Sequence, residues 1–231
     1  MARAGQVHQG FDRFLARYLK ETGIAPSCRA GCFFCCYGWV EASLGEAERA
    51  LRLAPPVVKE RVRREGARRA RLLARAKNDP RLPERHFLSR TPCPFLEGGR
   101  CAVYEARPLA CRGVLTDRDP RYCEPGAVPA LKGPERARYL AGLDPRRHGP
   151  EHYLRVPKEE SSRRFFALLG AEARERGFSL SGELSVLAYL LGLPGFQRAM
   201  KKGPRAVRAY LRKKRLLGGR WGLWLRLRSR G

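Results

Sequence analysis

The sequence predicts a mainly α protein: helices around a cysteine-rich metal-binding loop and a small β-hairpin layer, with a basic helical C-terminal region. Three observations predict it. Apolar residues recur at helical spacing through much of the 231-residue chain. Eight cysteines fall in two dense groups, Cys28, Cys32, Cys35 and Cys36, then Cys93, Cys101, Cys111 and Cys123. The final stretch from Lys201 is rich in lysine and arginine and holds no acid.

Phe11, Phe14, Leu15, Tyr18 and Leu19 recur at three- and four-residue intervals, so residues 9–21 read as an amphipathic helix with its aromatics in a core. Gly23 and Pro26 end it and lead into the first cysteine group. Ser43-Leu44-Gly45-Glu46 has the capping-box form and starts a helix through about Ala54, which Pro55 and Pro56 stop. The next helix, Val57 to Lys77, is heavily basic. Lys59, Arg61, Arg63, Arg64, Arg68, Arg69, Arg71, Arg75 and Lys77 stand against Glu60 and Glu65, so most of it reads as a solvated face.

Cys93-Pro94-Phe95-Leu96-Glu97 and Cys101-Ala102-Val103-Tyr104-Glu105 flank Gly98-Gly99, a hairpin signal. A two-residue loop pairs Leu96 with Cys101, and a three-residue loop pairs Glu97 with Cys101. In either register a continuous strand keeps Cys93 and Cys101 from sharing an ion. Either they serve separate centres, or Pro92 and Pro94 fold Cys93 back out of the strand.

Pro108 opens a short helix carrying Cys111. Residues 114–134 read as loop holding Cys123, residues 135–142 as a helix, and Pro145 to Pro157 as a linker. The expected division is a cysteine-cluster metal-binding domain, 1–145, and a basic helical region, 146–231, which can pack with it as one unit. Apolar helices follow near 162–176 and 183–192, and Pro194 and Pro204 start two more. Trp221, Leu223, Leu225 and Leu227 then alternate as a half-buried strand does.

Met1 to Phe11 lacks the apolar core of a secretory signal, and the longest apolar run, Leu184 to Leu193, is too short to span a bilayer. A cytoplasmic address is expected, where thiols stay reduced and eight cysteines point to metal before disulfides. The Cys32-x-x-Cys35 turn aims two thiolates at one point, a device of zinc and iron–sulfur sites alike. Four sulfurs satisfy one zinc or one four-iron (4Fe–4S) cluster, so eight supply two closed sites, or one site plus spares. Arg29, Arg107 and Arg112 lie beside the cysteines to offset thiolate charge. His8, His86, His148 and His152 are scattered and read as surface residues. Glu41, Glu46, Glu48 and Glu105 read as helix surface or arginine partners rather than bases. No catalytic residue stands out.

At these cysteines the chain resembles the YkgJ-type cysteine-cluster family, described as zinc- or iron-chelating domains. The matching features are Cys32-x-x-Cys35-Cys36, Cys93-Pro94-Phe95-Leu96, and Cys101-x-x-Tyr104-Glu105-x-Arg107-Pro108-x-x-Cys111-Arg112, with Cys123 as a later cysteine. They span roughly residues 25–125. The gap from Cys28 to Cys32 holds three residues where the family name implies two. The resemblance implies a metal site without fixing a reaction, and flagellin lysine N-methylases carry a related cluster domain. Cys28-x-x-x-Cys32-x-Phe34-Cys35 also has the form of a radical S-adenosylmethionine motif, although the chain lacks the alternating strands and helices of that barrel.

The net charge of +26 points to an anionic partner. Its densest stretch is Lys201, Lys202, Arg205, Arg208, Arg212, Lys213, Lys214 and Arg215, followed by Arg220, Arg226, Arg228 and Arg230. Three readings of this tail compete. It packs on the domain through Trp221 and Trp224, it binds nucleic acid through arginine–phosphate contacts and stacking on tryptophan, or it lies on an anionic membrane surface. Two functions therefore stand: a metal-stabilised binding module with a basic surface, and an iron–sulfur enzyme of redox or S-adenosylmethionine-dependent methyl-transfer chemistry.

Overall fold

The structure is a computed structural model that describes residues 2–29, 31–149 and 151–228; Arg230 of the basic tail lies outside the described residues. Helix α1 (Ala2–Thr22) carries the expected aromatic stripe and is longer than its periodic core suggests. After the first cysteine group the chain forms strand β1 (Glu41–Ser43) and helix α2 (Leu44–Leu53). Ser43 caps α2 as its sequence predicts. Its hydroxyl accepts from Glu46 N at 3.2 Å, and the Glu46 carboxylate accepts from Ser43 N at 2.9 Å.

Helix α3 (Pro56–Ala76) buries Val58, Val62, Ala70 and Leu73 on one face. Arg63 and Arg68 stay outside, paired with Glu60 and Glu65. Arg69 departs from the solvated face expected of it. It is 1% exposed, because the following elements fold over it. Short helix α4 (Leu82–Leu88) follows, then strands β2 (Leu96–Glu97) and β3 (Arg100–Cys101). These two pair with Leu96 opposite Cys101, so the two-residue loop is the one formed. Gly98 and Gly99 both take positive φ, 53° and 74°, which that tight turn requires.

Helix α5 (Leu109–Arg112) carries Cys111, as expected from Pro108. Residues 114–134 are less irregular than loop: they hold a 3-10 turn, Pro120–Cys123, and helix α6 (Ala127–Ala130). Helix α7 (Gly133–Ala141) comes next. The stretch expected as a linker is tied down. His148 bridges Leu154, and Leu154 N donates to Leu115 O at 2.8 Å. Helix α8 (Arg155–Arg176) therefore starts well before residue 162.

Strand β4 (Phe178–Glu183) was not read from the sequence, yet all six of its residues are buried. It is central in an antiparallel sheet ordered β1-β4-β5, with Ser43 opposite Ser181 and Phe178 opposite Leu227. Glu183 ends β4 and caps helix α9 (Leu184–Leu191), accepting from Val186 N at 2.8 Å. Helices α10 (Pro194–Lys202) and α11 (Pro204–Lys213) start at their prolines, and β5 (Trp224–Leu227) closes the sheet. Trp221 docks on the end of α3, its N donating to Lys77 O and its Nε1 to Asp79 O, each at 2.9 Å, whereas Trp224 is 49% exposed.

The main core joins Leu44, Val58, Leu73, Leu180, Leu187 and Leu223, and Phe95 and Val103 of the hairpin segment sit in it. A second cluster, Phe11, Leu109, Phe165 and Leu168, seats α5 against α1 and α8. Both cysteine-bearing segments therefore rest on apolar packing. No described helix is long and apolar enough to cross a membrane.

Candidate metal centre

Two backbone turns aim the first cysteine group. Cys32 N donates to Arg29 O at 3.0 Å and Cys36 N to Phe33 O at 2.8 Å. Cys36 O then accepts from Cys93 N at 2.7 Å, which joins the first group to the second. Cys93 lies outside the hairpin, in a turn closed by Leu96 N donating to Cys93 O at 2.9 Å. The chain therefore takes the fold-back alternative, and Cys93 and Cys101 face one space.

That space is a cavity of about 430 Å³ lined by Cys32, Cys35, Cys36, Cys93, Cys101 and Cys111. Val40, Phe95, Leu96, Val103 and Leu184 supply its apolar wall, and Arg29, Arg100 and Arg107 its cations. Arg107 lies over the Tyr104 ring at 4.0 Å. Arg112 does not line the cavity. It is buried and holds the neighbouring loop, donating to Arg107 O and Glu105 O, each at 2.9 Å, and to the Asp12 carboxylate of α1.

Burial pushes the Cys93 thiol up to about 12 and raises Cys101 and Cys111. Cys35 lies open to the cavity, and a hydrogen bond from Cys36 holds it at about 7; the same bond, with burial, pushes Cys36 up. Cys36, Cys93, Cys101 and Cys111 keep their protons without a cation, whereas Cys35 gives its proton up near neutral pH, and a bound metal supplies the charge that strips the rest. Among the described residues no group of three or more His, Cys, Asp or Glu side chains is gathered as a ready-made ion site.

Cys28 and Cys123 do not line the cavity. Cys28 is exposed, held near Thr116 by Ser27 N donating to Thr116 O at 2.8 Å. Cys123 is buried, its Sγ 3.2 Å from His152 Nε2.

The four histidines correct the surface reading: all are buried. His8 Nε2 lies 3.0 Å from Glu46 Oε1, and His148 Nε2 lies 2.8 Å from Asp117 Oδ1. His86 meets the Trp39 ring edge-on at 5.4 Å, and burial lowers its pKa to about 4. Glu46 is likewise interior, bonded to His8 and to Leu109 N. Glu48 pairs with Arg176 as expected, and Glu41 and Glu105 stay exposed. Sequence reasoning missed Arg69, whose guanidinium reaches Glu183 at 2.7 Å and Pro92 O at 2.9 Å and so fixes the loop into Cys93. Only its place among the buried positions of α3 could have signalled this.

Residues 27–124 match the family model CxxCxxCC, "Putative zinc- or iron-chelating domain". It is this segment, and not the chain as a whole, that resembles the family. No curated protein and no solved structure matches the chain. The matched segment contains all eight cysteines, while Tyr139 and His152 lie beyond its end.

Of the basic residues singled out in the tail, Lys201, Lys202, Arg205, Arg212, Lys213, Lys214 and Arg215 are exposed and Arg208 is half-buried. No acid follows Glu183 in the sequence. Arg212 and Arg215 share a cleft of about 560 Å³ with Arg75, Lys77 and Asn78 at the end of α3.

Proposed function

We propose that the CxxCxxCC domain holds an iron–sulfur cluster in the six-thiol cavity and that the basic C-terminal helices bring this centre to an anionic partner, nucleic acid before any other. The observation that carries the reading is one cavity of about 430 Å³ ringed by six thiols from two distant segments. Four thiolates at about 2.3 Å close directly on a single zinc and enclose no such space. A body of several atoms suits it better. The donor set fits: soft sulfurs as ligands, three arginines against thiolate charge, and an apolar wall.

Four ligands are drawn from Cys32, Cys35, Cys36, Cys93, Cys101 and Cys111. A bound cluster supplies one-electron transfer. The chain's own residues do the rest: Val40, Phe95, Leu96, Val103 and Leu184 keep water away, and Arg29, Arg100 and Arg107 stabilise the anionic sulfurs.

Anaerobic purification followed by iron, sulfide and zinc analysis tests this. A brown protein bleached by dithionite is expected, and Cys93→Ser with Cys111→Ser should lose the iron while keeping helical circular dichroism. A colourless protein with stoichiometric zinc and no sulfide overturns the cluster.

A further inference from the structure

Cys123 and His152 meet outside the six-thiol cavity, and the contact reaches beyond the CxxCxxCC segment. We propose that Cys123, His152 and Cys28 form a second metal site, for a single divalent ion of the zinc type. The cluster proposal can fail without touching it.

The geometry of the first two ligands is nearly set. Sulfur and nitrogen ligands on a tetrahedral zinc stand ~3.6 Å apart, given their bond lengths. Cys123 Sγ and His152 Nε2 are separated by 3.2 Å. The other ring nitrogen is also supported, as His152 Nδ1 lies 3.2 Å from the Tyr139 hydroxyl. A ligating imidazole typically donates its second N–H in this way, which fixes the tautomer and aims Nε2. The Tyr153 and Tyr139 rings hold the imidazole plane, at 4.5 and 6.0 Å between centroids.

Thr116 brings the backbone of the third ligand, whose thiol has still to close on the pair. Its carbonyl accepts from Ser27 N at 2.8 Å, beside Cys28, and its hydroxyl donates to His152 O at 2.8 Å. One residue thus anchors the backbone on both sides of the site. Cys28 is exposed, so it completes the site from the solvent side and leaves a route for the ion. Two thiolates neutralise a dication, and a neutral imidazole adds no charge to a buried place. Three protein ligands leave a fourth position for water.

Cobalt(II) is the probe, titrated into anaerobically purified full-length protein and followed by its visible ligand-field bands. The expected result, beyond any all-sulfur cobalt taken up by the six-thiol cavity, is one equivalent bound with sulfur and nitrogen donors. Cys123→Ser and His152→Gln should abolish it, and Tyr139→Phe should weaken it about tenfold. Cys93→Ser, which removes a cavity thiol, should leave it intact. Unchanged cobalt affinity and spectrum in His152→Gln overturn the proposal, as does loss of all cobalt binding in Cys93→Ser. Should His152→Gln fail to fold, Tyr139→Phe decides: unaltered affinity there overturns the site.

Discussion

Glu172 of α8 lies buried beneath the start of α2. Its Oε1 accepts from the Ser43 hydroxyl at 2.7 Å and from Gly45 N at 3.1 Å, while Oε2 has no partner among the described residues. Burial raises its pKa from 4.5 to about 7, against the lowering effect of these bonds and of Arg176. Between those values the folded chain holds a proton that the unfolded chain has lost. Stability from this group is therefore complete at acid pH and falls as pH rises towards 7, by about 3 kcal/mol in all. Glu172→Gln should remove that slope, and chemical unfolding across this pH range checks it. At this scale the cysteines were legible, since spacing alone marks them. His8, His148 and His152 were not, because Glu46, Asp117 and Cys123, which receive them, lie 38, 31 and 29 positions away.

The capping box of α2, the proline starts of α10 and α11, and the Gly98-Gly99 turn were all readable, because each depends on neighbours within a few residues. Strand β4 was not. Its Phe-Ser-Leu-Ser alternation looks half-polar, and its serines are buried only because β1 and β5 flank it on both sides. Gly66 shows the same dependence for a helix pair. A Cβ there would stand 2.4 Å from Ser185 O and 2.5 Å from Tyr189 Cβ, so α3 and α9 approach as they do only over glycine. Gly66→Ala should destabilise the fold by about 1–3 kcal/mol, as overpacking does. The check is a lower denaturant midpoint at unchanged slope.

Over the whole molecule, the predominance of helix was evident from periodicity, but the way the elements assemble was not. Glu41 pairs across the sheet with Glu183, more than 140 positions later, and no local pattern reports that. Charge is a whole-molecule property too. With +26 overall and no acid after Glu183, phosphate contacts should dominate any nucleic-acid binding. Affinity for a mixed-sequence RNA should fall steeply with salt, and replacing Arg212 and Arg215 together with alanine should flatten the logarithmic slope by about two. Binding that ignores salt would remove nucleic acid as the partner.

The guanidinium of Arg69 grips Glu183 at the head of α9 and the carbonyl just before Cys93. If the stretch of chain leading to that thiol were to fray, the buried guanidinium would lose its carbonyl partner and keep only its carboxylates. That bond ties the sulfur-bearing rim to the greasy centre, and a denaturation curve followed at either place should trace the other.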